Sequence, residues 1–140
     1  MKVVLTITGS QRFGTDEPEK TSLVTEGTLE REGDILLLSY EESELTGMEG
    51  TTTVFRVEPA RITLQRSGTL ESQMVFALGH EDRSLYDMGF GALMITVLTD
   101  RLENTLTDAG GEMDVSYSVA IENETAGHID YHIHVRPQET

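Results

Sequence analysis

Apolar and polar residues alternate with a period of two through most of the chain. In "KVVLTIT", Val3, Leu5 and Ile7 share one face. In "MDVSYSVAI", Met113, Val115, Tyr117, Val119 and Ile121 oppose Asp114, Ser116 and Ser118. In "HIDYHIHV", Ile129, Tyr131, Ile133 and Val135 oppose His128, Asp130, His132 and His134. Successive side chains of a strand point to opposite faces, so this pattern marks strands with one packed and one wet side. Thr, Val, Ile and Tyr fill the runs, and these side chains suit a pleated surface.

Turn residues punctuate the runs at short intervals: Gly33-Asp34, Gly47 to Gly50, Glu58-Pro59, Ser67-Gly68, Gly79 to Asp82, Gly89 to Gly91, Gly110-Gly111 and Ala126-Gly127. The pattern predicts strands at 2–8, 21–31, 34–42, 51–58, 60–67, 71–79, 83–88, 92–99, 102–107 and 112–122, with 128–136 as an eleventh candidate. Leu98, Leu102 and Leu106 recur every four residues, which also fits a helix, but the threonines around them favour a strand. Residues 9–20 read as a polar loop that could close over a ligand. Many short strands joined by tight turns predict one domain over 1–140, an antiparallel up-and-down β-barrel of about eight to ten strands.

Composition narrows the function classes. The 140 residues include no cysteine, so disulfides, thiolate metal sites and cysteine nucleophiles are excluded. The formal charge is −15, and the excess of acid is present in both halves of the chain. Neither half offers the basic stripe that a phosphate backbone or an anionic membrane surface requires. Nucleic acid and membrane are therefore not expected partners. The opening "MKVVLTITGS" lacks an unbroken apolar stretch, and cytoplasmic location is the expectation.

Chemical motifs are few. No phosphate-cradling loop, nucleophile elbow or paired-histidine helix is present, so the chain reads as non-enzymatic and no cofactor is expected. His132 and His134 share the wet face of the last strand with His128 and Asp130. They are weak metal candidates, and a solvated polar face is the simpler reading. The run Glu41, Glu42, Glu44 and Glu49 lacks the fixed spacing of a calcium loop.

Arg66 is the charge out of place. Ile62 and Leu64 set the buried phase of "ARITLQRS", and Arg66 continues it. A guanidinium pointing inward needs a carboxylate, an aromatic face or a bound anion. The phase of "ILLLSYEE" offers Tyr40 and Glu42 as partners, while "MVFALGH" places Met74, Phe76 and Leu78 inside with His80 at the rim. Tyr86 and Tyr117 complete the candidate lining. An internal Arg–Glu or Arg–Tyr plug and an anion site are the two alternatives.

The segments "LLLSYEESELTG", "VFRVEPARITLQRSG", "MVFALG", "LYDMGFGALMITVLTDRLENTL" and "GGEMDVSYSV" resemble, in that order, the YwiB-like family of small bacterial proteins of unknown function. The resemblance runs from about Val3 to Val135. It implies a calycin-like, or lipocalin-like, β-barrel and brings no catalytic signature. The wider calycin group implies a ligand cavity; with the inward phase of Arg66, the expected occupant is a small, mainly apolar molecule, anionic ones included, held near Arg66, Tyr40, Glu42, Tyr86, Tyr117, Phe76 and His80. The alternative is a filled barrel acting as a protein-interaction or structural module, with a homodimer as one arrangement.

Overall fold

In the computed structural model, which describes residues 1–13, 17–43, 49–68, 71–87 and 91–138 and all their side chains except those of Phe13, Tyr86 and Asp87, the alternating segments form ten strands. They are β1 (Lys2–Phe13), β2 (Glu19–Glu32), β3 (Ile35–Glu41), β4 (Thr51–Glu58), β5 (Arg61–Gly68), β6 (Ser72–Phe76), β7 (Glu81–Asp87), β8 (Ala92–Asn104), β9 (Gly111–Ile121) and β10 (Glu124–Pro137). All pairings are antiparallel, in the order β6-β5-β4-β3-β2-β1-β10-β9-β8-β7. The two termini thus lie side by side in the sheet, with Leu5 opposite Val135 and Ile7 opposite Ile133.

The sheet curls into a nearly closed barrel whose seam falls between β6 and β7. Side chains bridge it: the Asp82 carboxylate accepts from the Val75 N–H at 3.0 Å, and the Ser84 hydroxyl donates to the Gln73 carbonyl at 3.3 Å. These contacts occupy edge groups that would otherwise be free to pair with another chain.

Most of the predicted inner face is the observed core, but Ile121, at the end of β9 beside the turn, is exposed. Val3, Leu5, Leu38, Ile62, Met113, Val97 and Val135 are almost wholly buried. The centre of the barrel is closely packed among the described residues. Among Phe55, Ile62, Leu64, Phe76, Met113, Val115, Tyr131 and Ile133 there remains a space of about 10 Å³, barely room for one water molecule.

Four further expectations are corrected. Residues 9–20 are not a long loop. Gly9 to Phe13 continue β1 and Glu19-Lys20 open β2, so the proposed lid is lost, while residues 14–16 lie outside the described residues. The segments 92–99 and 102–107 are largely one strand, β8, with a register shift between Thr99 and Arg101. That bulge breaks the shared face inferred for Leu98, Leu102 and Leu106: Leu98 is exposed while Leu106 is buried. The turn before β10 is not at Ala126-Gly127. Glu122 and Asn123 form it, with φ of 51° and 70°, the two left-handed residues of a tight hairpin. Finally, β6 ends at Phe76 and the chain turns, so Leu78 faces solvent.

Gly27 holds a place no side chain could. A Cβ there would run into the Ser39 carbonyl oxygen and stand 2.7 Å from Leu5 Cδ1 and 3.2 Å from Tyr40 Cβ. Gly33, with φ of 62°, has nothing within 4 Å. Gly27→Ala should therefore destabilise the barrel by about 1–3 kcal/mol, the usual range for overpacking, whereas Gly33→Asn should change stability little. Urea unfolding checks this, and equal shifts of the two midpoints would refute it.

Candidate functional site

One row of paired residues crosses five strands: Gly27 on β2, Tyr40 on β3, Thr53 on β4, Arg66 on β5 and Ser72 on β6. The bare Gly27 leaves room for Tyr40, which is buried and stacks on Phe55 with centroids 6.4 Å apart. Glu42, two residues beyond Tyr40, shares its inward phase. Its N–H donates to the Thr51 carbonyl at 2.8 Å, extending the β3–β4 pairing.

Glu42 is 6% exposed, an unusual depth for a carboxylate. Its Oε1 accepts from the Thr53 hydroxyl at 2.8 Å, and it also shares a hydrogen bond with Tyr40. Its Oε2 is buried without a hydrogen-bond partner. Arg66 does point inward and is half-buried, and its Nε is likewise buried without a partner. Among the described residues neither Arg66 nor Glu42 forms an ion pair within 4.0 Å. Burial pushes the Tyr40 phenol well above its ordinary range, and the hydrogen bond and charge of Glu42 push the same way. Tyr40 therefore stays neutral and donates to the carboxylate.

The other sequence candidates divide. Phe76 and Tyr117 are core residues in ring contact at 4.7 Å. Phe76 pairs with Ile62, four residues along β5 from Arg66, roughly 13 Å away along the strand. His80 is exposed in the turn between β6 and β7, its N–H bonded to the Ala77 carbonyl at 2.9 Å, away from the site. The side chain of Tyr86 lies outside the described residues, as does all of Glu44. Sequence reasoning missed Thr53, whose inward phase in "TTTVFRVE" was the available signal.

The histidine face is outward, as its parity predicted. His132 Nδ1 lies 2.7 Å from Asp114 Oδ1, and His128 lies 3.3 Å from Asp130 and 3.7 Å from Asp100. Among the described residues no group of three or more His, Asp or Glu side chains is arranged to hold a metal ion, so His132 and His134 are not brought into a metal centre.

The class defined by these features is a filled, antiparallel β-barrel with a polar cluster at one end. The chain belongs to the family described as "Domain of unknown function (DUF1934)", which its residues 5–133 match. The uncharacterized β-barrel protein YwiB of Bacillus subtilis (strain 168) is 23% identical over 94 residues, 67% of this chain and 64% of that protein, so the match spans just under two thirds of the relative. The crystal structure of the B. subtilis ywiB protein superposes with a TM-score of 0.78 at 18% identity, covering 95% of this chain and 90% of the other. That likeness shows the fold.

Two substitutions test the polar cluster. Thr53→Val removes a donor from a buried carboxylate at nearly constant volume and should cost about 1–3 kcal/mol in urea unfolding. Tyr40 bears on alkaline stability. Its folded pKa lies above the unfolded value near 10.0, so its contribution is complete below that pH and declines as pH rises above it. Tyr40→Phe should be less stable than the parent at neutral pH yet decline less steeply above pH 10. Parallel alkaline melting curves would contradict this.

Proposed function

We propose that this protein is a non-enzymatic binding module that takes a small polar ligand at the Tyr40–Glu42–Arg66 end of its barrel. The observation that carries the reading is the pair of buried, unpartnered atoms there, Glu42 Oε2 and Arg66 Nε. Buried polar groups are nearly always hydrogen-bonded, so a molecule that bonded to both would offset a real cost.

The filled interior modifies the cavity implied by the calycin resemblance. A space of about 10 Å³ is far below the roughly 300–1,000 Å³ of ordinary ligand pockets. The ligand therefore sits at the end of the barrel, and a mainly apolar ligand threaded through the centre is disfavoured. Tyr40, kept neutral, serves as a hydrogen-bond donor and not as a general base.

The charge of −15 argues against nucleic acid and anionic membranes as partners. Among the described residues no helix is long and apolar enough to cross a membrane. The lack of cysteine fits a cytoplasmic setting.

A second reading, a protein-interaction module that forms a homodimer, is favoured by one observation. Leu85 on β7 is 67% exposed and pairs with Met94 on β8.

The test is a small-molecule screen by amide chemical-shift mapping. Hits should perturb residues around Tyr40, Glu42 and Arg66 and be lost in Arg66→Gln. Hits that map to Phe76 and Tyr117, or that survive Arg66→Gln unchanged, would defeat the reading. Light scattering that finds a dimer disrupted by Leu85→Lys, with no small-molecule hit, would favour the second.

A further inference from the structure

Glu42 and Arg66 carry opposite charges at one end of the barrel, yet neither meets an ion-pair partner among the described residues. Arg31, Arg56, Arg61, Arg83 and Arg101 each lie within 3.5 Å of a carboxylate. Among the described residues Arg66, Arg12 and Arg136 do without one, and of these three only Arg66 is half-buried, with its Nε buried and unpartnered.

The topology explains why the two charges do not simply close on each other. Arg66 sits on β5 and Glu42 just past the end of β3, with β4 between them. Two strand spacings and an offset of two residues along the strands separate their backbones by roughly 12 Å. Thr53, on the intervening strand, is the Cα partner of Arg66 and donates its hydroxyl to Glu42. The Tyr40 ring lies within electrostatic reach of both charges, with Tyr131 also close enough to act on it.

We propose that this end of the barrel binds a small zwitterion, whose carboxylate accepts from the Arg66 Nε–H while its ammonium donates to Glu42 Oε2. The proposal rests on the ligand-binding reading above and names the ligand class. An anion alone would be attracted by Arg66 and repelled by Glu42, and a cation alone would meet the reverse. A molecule bearing both charges relieves both desolvated groups at once. Phe55, which stacks on Tyr40, and Tyr131 line an interior with almost no open space, so the ligand class is tested with its shortest member, the α-amino acid glycine.

The experiment is an amide-shift titration of the intact protein with glycine, with acetate and with ethylammonium at matched ionic strength. Glycine should perturb Tyr40, Glu42, Thr53 and Arg66, with acetate and ethylammonium at least ten-fold weaker. Arg66→Gln and Glu42→Gln should each weaken glycine at least ten-fold. The selectivity among the three probes is read on the unaltered protein, so it stands even if a variant fails to fold. Acetate or ethylammonium binding at this end as tightly as glycine would discard the zwitterion and leave a binding site of another class. No response to glycine, or a response unchanged in both variants, would also overturn the proposal. Silence toward all three, together with an empty small-molecule screen, would remove the binding reading as well.

Discussion

The structure depends on one requirement: a ten-stranded sheet with an apolar face must hide that face from water. No helix among the described residues is available to cover it, so the sheet covers itself by curling. Each fully buried aliphatic side chain on the inner face, such as Leu5 or Leu38, contributes about 1.5–3 kcal/mol. Closure must also keep the alternation in phase around the whole circuit. The β8 bulge at Asp100 does this. Val97 and Thr99 are buried before it, and Leu102 and Leu106 turn inward after it. Without the extra residue, Arg101 and Glu103 would continue the inward phase. With it they face solvent and pair with each other at 3.2 Å.

The same alternation produces the polar end. Residues two apart on β3 and just beyond it must share a face, so once Leu38 and Tyr40 are committed inward, Glu42 follows. On β5, Ile62 and Leu64 commit Arg66 in the same way. Burying these two groups is costly unless hydrogen bonds replace water. Thr53 and Tyr40 supply part of that compensation to Glu42, and Gly27 makes room for Tyr40. The polar cluster and the close packing of β2 on β3 are therefore one construction. A side chain at Gly27 would disturb the cluster without touching either charge.

Much of this was legible from parity alone. Strict alternation over Met113–Val119 and Ile129–Val135 gave the inner face correctly, although Ile121 at the end of β9 is exposed, and the phase of Ile62 and Leu64 correctly turned Arg66 inward. The errors share a physical cause, which is that parity cannot see where the phase is reset. Nothing in "LTDRLEN" announces a bulge, because the extra residue, Asp100, is an ordinary polar one. The Glu122-Asn123 turn lacks the glycine that usually marks left-handed residues, so the nearby Ala126-Gly127 drew the boundary instead. His80 and Leu78 were projected past the end of β6, where alternation has no meaning. For the site, sequence phase placed Tyr40, Glu42 and Arg66 on inner faces. It could not decide whether the interior beneath them was hollow, since the same Leu, Ile, Val and Phe content serves a core or a pocket equally well.

Electrostatic pairing then separates the two charged regions of the molecule. On the outer face the histidines are surrounded by acids: His132 by Asp114 and Glu112, His128 by Asp130 and Asp100. Those groups are about half exposed, and water screens whatever they leave unsatisfied. Inside, Glu42 and Arg66 have fewer partners and far less water. An unmet hydrogen bond costs little on the first surface and much in the second setting. The outer face can therefore remain self-contained, whereas the barrel end retains a standing gain for any molecule that bonds to both Glu42 Oε2 and Arg66 Nε.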